Sequence, residues 1–90
     1  YNPEYIYVFL LTLLTCWEDI FPDEMEITAT QLEDIGFRTA FGWSKIQENE
    51  VLTNLCEKGF IRINRQLTPF TILRLVDREL AINKLYTELL

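Results

Sequence analysis

The chain has 90 residues, enough for one modest hydrophobic core, and 49% of them are apolar, so we expect a single folded domain and not a disordered segment. Its formal net charge is −6, which at face value disfavours nucleic acid as a partner. It contains no histidine, the commonest general base and metal ligand, and two lone cysteines do not make a zinc site. We therefore expect no enzyme activity, no cofactor and no metal.

Neither a signal peptide nor a membrane-spanning segment is expected from this sequence. Its most apolar stretch, Tyr5 to Trp17, is shorter than the roughly 20 residues that a bilayer requires. We expect a cytoplasmic or otherwise intracellular protein without a membrane contact. The first residue is Tyr1 and not Met, which is consistent with a fragment of a longer chain. Cys16 and Cys56 are interpreted as small buried apolar side chains, with a disulfide as the alternative.

The first predicted element is a helix that begins at Asn2-Pro3, with Asn as the N-cap and Pro at the first helical position, and runs to about Asp19. Apolar side chains occupy every face, which predicts burial on more than one side, against a partner subunit or a neighbouring domain. A strand is the competing interpretation of its aromatic-rich first half. The acidic stretch from Asp19 to Glu26 is interpreted as a solvated loop and not as a cation site.

The next elements are a very short strand, Glu26-Ile27-Thr28, and a short helix. Thr28 and Gln31 have the spacing of a capping box, and Gly36 is suited to end that helix. The segment from Phe37 to Trp43 is predicted to be a turn.

Ser44 is predicted to cap a third helix that runs to Lys58 and ends at Gly59. Its buried stripe is predicted to contain Val51, Leu52, Leu55 and Cys56.

Two strands and a last helix follow. Phe60 to Arg65 alternates apolar and polar residues, Gln66 to Phe70 is the connection, and Thr71 to Val76 is the returning strand. Asp77 is predicted to cap the final helix.

This order of elements resembles the winged helix-turn-helix superfamily. Ile27 to Gly36 is similar to the strand and second helix of winged-helix regulators, and Ser44 to Ile61 resembles their third helix, with Gly59 at the exit into the wing. The resemblance covers about residues 27–76. It implies a mainly α fold with a small β-hairpin wing, in the order α-β-α-α-β-β-α.

The resemblance also implies that the third helix enters the major groove of DNA and that the wing reaches phosphates. On the third helix the candidate DNA-binding residues are Lys45, Gln47, Thr53 and Asn54. Glu50 and Glu57 share its outward face, where DNA-binding members present basic residues. On the wing the candidates are Arg62, Asn64, Arg65 and Arg74, and the alternative for these arginines is that they are ordinary charges on an edge hairpin.

All eight basic residues lie between Arg38 and Lys84, whereas residues 1–34 carry eight acidic groups and no Lys or Arg. The sequence therefore predicts a DNA-binding regulator or a replication or partition factor, with double-stranded DNA as its partner and the wing as the main contact. We expect a homodimer or a larger assembly, with an interface that contains Tyr5, Phe9, Leu13, Leu85 and Leu89. The competing hypothesis is a protein–protein interaction module that does not bind DNA. Core or interface packing is favoured over base stacking for the aromatic residues Trp17, Phe37, Phe41 and Trp43.

Overall fold

The computed structural model describes residues 4–66 and 68–89, with the side chains of Glu4, Phe37, Glu88 and Leu89 left undescribed. These residues form a chain rich in helix with a small antiparallel sheet, as expected. The elements are α1 (Glu4–Ile20), β1 (Glu26–Thr28), α2 (Ala29–Ile35), α3 (Phe37–Phe41), α4 (Lys45–Glu57), β2 (Ile61–Asn64), β3 (Thr71–Arg74) and α5 (Arg78–Leu89).

The chain divides into two units: unit 1 consists of residues 1–24 and 76–90, and unit 2 of residues 25–75. The two units differ in their formal net charge. Unit 2 contains six basic and six acidic side chains and is formally neutral, whereas unit 1 contains two basic and eight acidic ones. The whole net charge of −6 therefore belongs to unit 1.

In unit 1, α1 buries one stripe of its surface, and not every apolar face as the sequence suggested. The buried side chains repeat at three- and four-residue spacing and are those of Ile6, Phe9, Leu10, Leu13, Leu14 and Trp17. Tyr5 and Val8, on another face, are exposed. The acidic loop turns back on the helix, because the Trp17 indole Nε1 donates a hydrogen bond of 2.6 Å to the carbonyl of Glu24. The predicted cap at Asn2 lies outside the described residues.

The second helix of unit 1, α5, begins as the sequence predicted. The Asp77 carboxylate accepts a hydrogen bond of 2.7 Å from the backbone N–H of Leu80, so Asp77 is the N-cap. The helix packs against α1 and buries Ala81 and Leu85, while Ile82 and Tyr86 stay exposed.

In unit 2, both predicted capping boxes are present. Thr28 caps α2 and exchanges hydrogen bonds with Gln31, and Ser44 caps α4 and exchanges them with Gln47. Gly59 has a φ of 83°, a left-handed conformation that glycine adopts without steric cost, and it turns the chain from α4 into β2.

The segment predicted to be a turn, residues 37–43, instead contains the short helix α3. Gly36 and Gly42, with φ of 78° and 71°, flank a single helical turn. Periodicity over five residues is too short to distinguish a helical turn from an irregular one, so the prediction of a turn was wrong for a physical reason.

The sheet has the strand order β1-β3-β2, and both pairings are antiparallel. In β3 the last paired residue is Arg74, opposite Ile61, so the strand ends two residues before the predicted end at Val76. The end of β3 is set by its pairing with β2 and not by the local apolar pattern, because β2 begins at Ile61, the partner of Arg74.

No helix in the described part of the chain is both long and apolar enough to cross a membrane. Cys16 and Cys56 are free thiols and are half-buried, so they are less enclosed than the sequence suggested.

Candidate nucleic-acid interface

Arg65, in the hairpin formed by β2 and β3, contacts the exposed side of α4. The Arg65 Nη2 donates to Asn49 Oδ1 over 2.9 Å and to Thr53 Oγ1 over 3.3 Å. The same guanidinium lies 5.5 Å from the ring centroid of Phe70, within the range of a cation–π contact. Lys45, Asn49 and Thr53 follow one another at four-residue spacing, so they lie along one side of α4. We call the surface formed by Lys45, Asn49, Thr53 and Arg65 the helix–hairpin face.

Donors remain available on this face. Arginine has five N–H groups, and within residues 4–66 and 68–89 only the Nη2 of Arg65 donates a hydrogen bond. Its Nε–H and Nη1–H groups therefore remain available to donate to phosphate oxygens. Lys45 is exposed at the first residue of α4 and can offer a second positive charge.

The other two wing arginines do not join this face. Directly paired residues of an antiparallel sheet share one face, and neighbours along a strand alternate between faces. Arg62 lies opposite Leu73, whereas Arg74 lies opposite Ile61. Arg62 and Arg74 therefore lie on opposite faces of the sheet, so the three candidate arginines of the wing do not share one surface. Arg74 is half-buried and contacts the Met25 sulfur over 3.6 Å.

Three amide side chains that the sequence suggested for DNA binding are either engaged in hydrogen bonds within the chain or half-buried. Gln47 Oε1 accepts a hydrogen bond from the N–H of Ser44 over 2.8 Å, so its oxygen serves the cap of α4. Asn64 Oδ1 accepts from the N–H of Gln66 over 3.1 Å and stabilises the turn after β2. Asn54 is half-buried. Their capacity to read base edges is smaller than the sequence suggested.

A second exposed side of α4 carries apolar and acidic groups. Ile46, Glu50 and Glu57 are spaced four and seven residues apart and are all exposed, with Ile46 exposed to 73%. This side adjoins the helix–hairpin face, so α4 presents a cationic edge and an acidic one.

Sequence reasoning missed Asn49 and Phe70, which hold Arg65 in place. The four-residue spacing between Lys45, Asn49 and Thr53 could have indicated Asn49. No sequence pattern around Phe70 indicates its contact with Arg65, because the connection between β2 and β3 brings the two side chains together.

The residues assigned to a dimer or partner interface lie mostly inside the structure. Phe9 and Leu13 have no exposed surface and Leu85 is buried, so in this conformation they stabilise the chain itself. Tyr5 is exposed, and the side chain of Leu89 is outside the described set. Trp17 and Trp43 are buried and Trp43 stacks on Phe41 at 4.9 Å, which leaves neither indole open for base stacking.

Unit 2 also contains one strongly enclosed acid. Glu48 of α4 is only 7% exposed, and burial raises the pKa of its carboxyl from the ordinary 4.5. The negative charge of Glu33 on α2 raises it further, while Arg38 on α3 and Lys45 on α4 lower it. Arg38 is itself 3.4 Å from the Glu33 carboxylate.

Replacing Glu48 by glutamine is expected to stabilise the chain near neutral pH by about 1 kcal/mol, because the enclosed charge disappears. A carboxyl with a raised pKa in the folded chain costs stability only where it ionises, so the gain should fade as the pH decreases toward 4.5 and below. Urea unfolding at about pH 7 and about pH 4 measures the difference. Glu50→Gln, on the exposed side of the same helix, is the matched control. An equal gain at both pH values would show that ionisation is not the cause.

The described residues, 4–66 and 68–89, contain no cluster of three or more Cys, Asp or Glu side chains arranged to hold a metal ion. Neither known family models, nor curated proteins, nor solved structures match the chain.

Proposed function

We propose that the chain is a winged-helix protein that binds double-stranded DNA, as part of a transcriptional regulator or a replication or partition factor. The strand order β1-β3-β2, with α2 and α4 between β1 and β2 in the chain, supports the winged-helix assignment. The observation that carries the DNA contact is the attachment of Arg65 to Asn49 and Thr53, because it gives helix and hairpin one common surface.

The distribution of charge supports this choice of surface. Unit 2 is formally neutral although the chain as a whole is acidic, so its cations are not outnumbered locally. Lys45 and Arg65 supply two of them on the helix–hairpin face, and Asn49 and Thr53 add neutral donors and acceptors. Two cations fit a modest affinity that rests on phosphate contacts more than on base readout.

Binding to a random-sequence duplex over a salt series tests the proposal. We expect the logarithm of the affinity to fall with the logarithm of the salt concentration, with a slope of about −2 for two phosphate contacts. Fluorescence anisotropy of a labelled duplex between about 0.05 M and about 0.2 M salt measures it. Absence of binding at the lowest salt concentration would contradict the proposal.

A protein-interaction module is the second candidate function. The exposed side chains of Ile46, Glu50 and Glu57 favour it, because an apolar residue followed by two carboxylates on one side of a helix suits a basic protein surface, and the carboxylates repel phosphate.

A further inference from the structure

A groove of about 230 Å³ opens between α2 and α4 in unit 2. Its walls are mostly apolar and come from Ala29, Leu32, Leu52 and Phe70. Its polar lining consists of Thr30, Glu33, Lys45, Glu48 and Asn49. The size is enough for one long side chain and too small for a large cofactor.

Glu48 is the unusual member of this lining. Glu48 lines the wall of the groove and keeps only 7% of its surface exposed. Its carboxylate accepts no hydrogen bond from any described residue. Buried carboxylates are otherwise paired or hydrogen-bonded, because an unpartnered one loses its hydration without compensation. The groove therefore contains a largely enclosed carboxylate with no hydrogen-bond partner among the described residues, and its oxygens are not sealed from solvent.

The chain's own cations do not supply those donors. Arg38 makes its ion pair with Glu33, at 3.4 Å, and does not line the groove. Lys45 lines the groove but is exposed, and among the described residues it forms no ion pair with Glu48 within 4.0 Å. The Glu33 charge across the groove makes an ionised Glu48 still less favourable.

We propose that the groove binds an arginine side chain of a basic partner protein. The guanidinium would donate two N–H groups to the Glu48 carboxylate and offset its repulsion from Glu33. The aliphatic stem would lie along Leu32, Leu52 and Phe70. The groove shares Lys45, Asn49 and Phe70 with the surroundings of Arg65, but Glu48 is not part of the helix–hairpin face, so the proposal does not require DNA binding.

The test uses the whole chain and a capped Gly-Arg-Gly peptide, without DNA. Methyl NMR should show saturable shifts at Leu32 and Leu52. A peptide in which citrulline replaces arginine should bind about tenfold more weakly, because it keeps the shape and loses the charge. Glu48→Gln should lower the affinity for the arginine peptide by a similar factor, whereas Glu26→Gln, at an exposed carboxylate of β1 that does not line the groove, should leave it unchanged.

Three results would overturn the proposal: equal binding of the citrulline peptide, unchanged affinity in Glu48→Gln, or shifts confined to residues outside the groove. Glu48→Gln keeps the size of the side chain, and its urea unfolding curve confirms that the variant is folded. Because no duplex is present, failure here leaves the DNA proposal intact, and failure of duplex binding leaves this one intact.

Discussion

Replacing both Lys45 and Arg65 by glutamine is expected to weaken binding to a duplex by roughly tenfold for each lost phosphate contact. The reason is geometric: α4 holds Lys45 on the same side as Asn49 and Thr53, and these two residues hold Arg65 beside them. The salt slope should become shallower by about 1.8, since each phosphate contact contributes about 0.9. Anisotropy of a labelled duplex over a salt series measures both changes.

The matched control removes two charges from unit 1, through Arg78→Gln together with Lys84→Gln. It changes the net charge equally but leaves the helix–hairpin face intact. An equal loss of affinity in both double variants would mean that overall charge, and not this face, governs binding. Arg65→Lys separates charge from geometry, because lysine keeps the charge and lacks the planar guanidinium that Asn49, Thr53 and Phe70 hold in place. We expect it to retain the salt slope and to lose part of the affinity.

Reversing the charge of Glu50 and Glu57 to lysine is expected to strengthen duplex binding by about tenfold or more and to steepen the salt slope by up to about 1.8. Both carboxylates lie on the exposed side of α4 that adjoins the helix–hairpin face, so in the proposed complex they repel nearby phosphates. The same anisotropy series measures the gain. Glu24→Lys with Glu79→Lys, both exposed and in unit 1, is the control for overall charge.

The second double variant also separates the two candidate functions. If α4 faces a duplex, the two lysines add contacts and affinity rises well above that of the control. If α4 faces a basic protein through Ile46, Glu50 and Glu57, the lysines repel that partner and leave duplex binding no stronger than in the control. A gain in the control alone would contradict the proposed orientation of α4.

Local signals in the sequence were sufficient for the caps and the chain order. Thr28 with Gln31 and Ser44 with Gln47 satisfy backbone donors within three residues, so the signal is contained in the segment that it organises. The same holds for Gly59, whose left-handed φ requires no distant contact. The short helix α3 was not predicted, because a single helical turn between two glycines is too short to show a periodic apolar pattern.

The candidate site depended on contacts that no local pattern encodes. The sequence placed Arg62, Arg65 and Arg74 on one hairpin, but the register of β2 against β3 puts Arg62 and Arg74 on opposite faces. Arg65 meets α4 through a hydrogen bond to Asn49, which lies 16 residues earlier in the chain. Phe9 and Leu13, which the sequence suggested for an interface, are instead completely buried in the core.

Capping and alternation act over a few neighbouring residues, so the sequence alone indicated every described helix and strand except α3, and it showed that all basic residues lie between Arg38 and Lys84. The tertiary structure alone decided which charged groups share a surface. It brought Arg65 against α4, and it enclosed Glu48 in the groove between α2 and α4 with no hydrogen-bond partner among residues 4–66 and 68–89. Strand register and helix packing set those distances, and both join residues that are far apart in the chain.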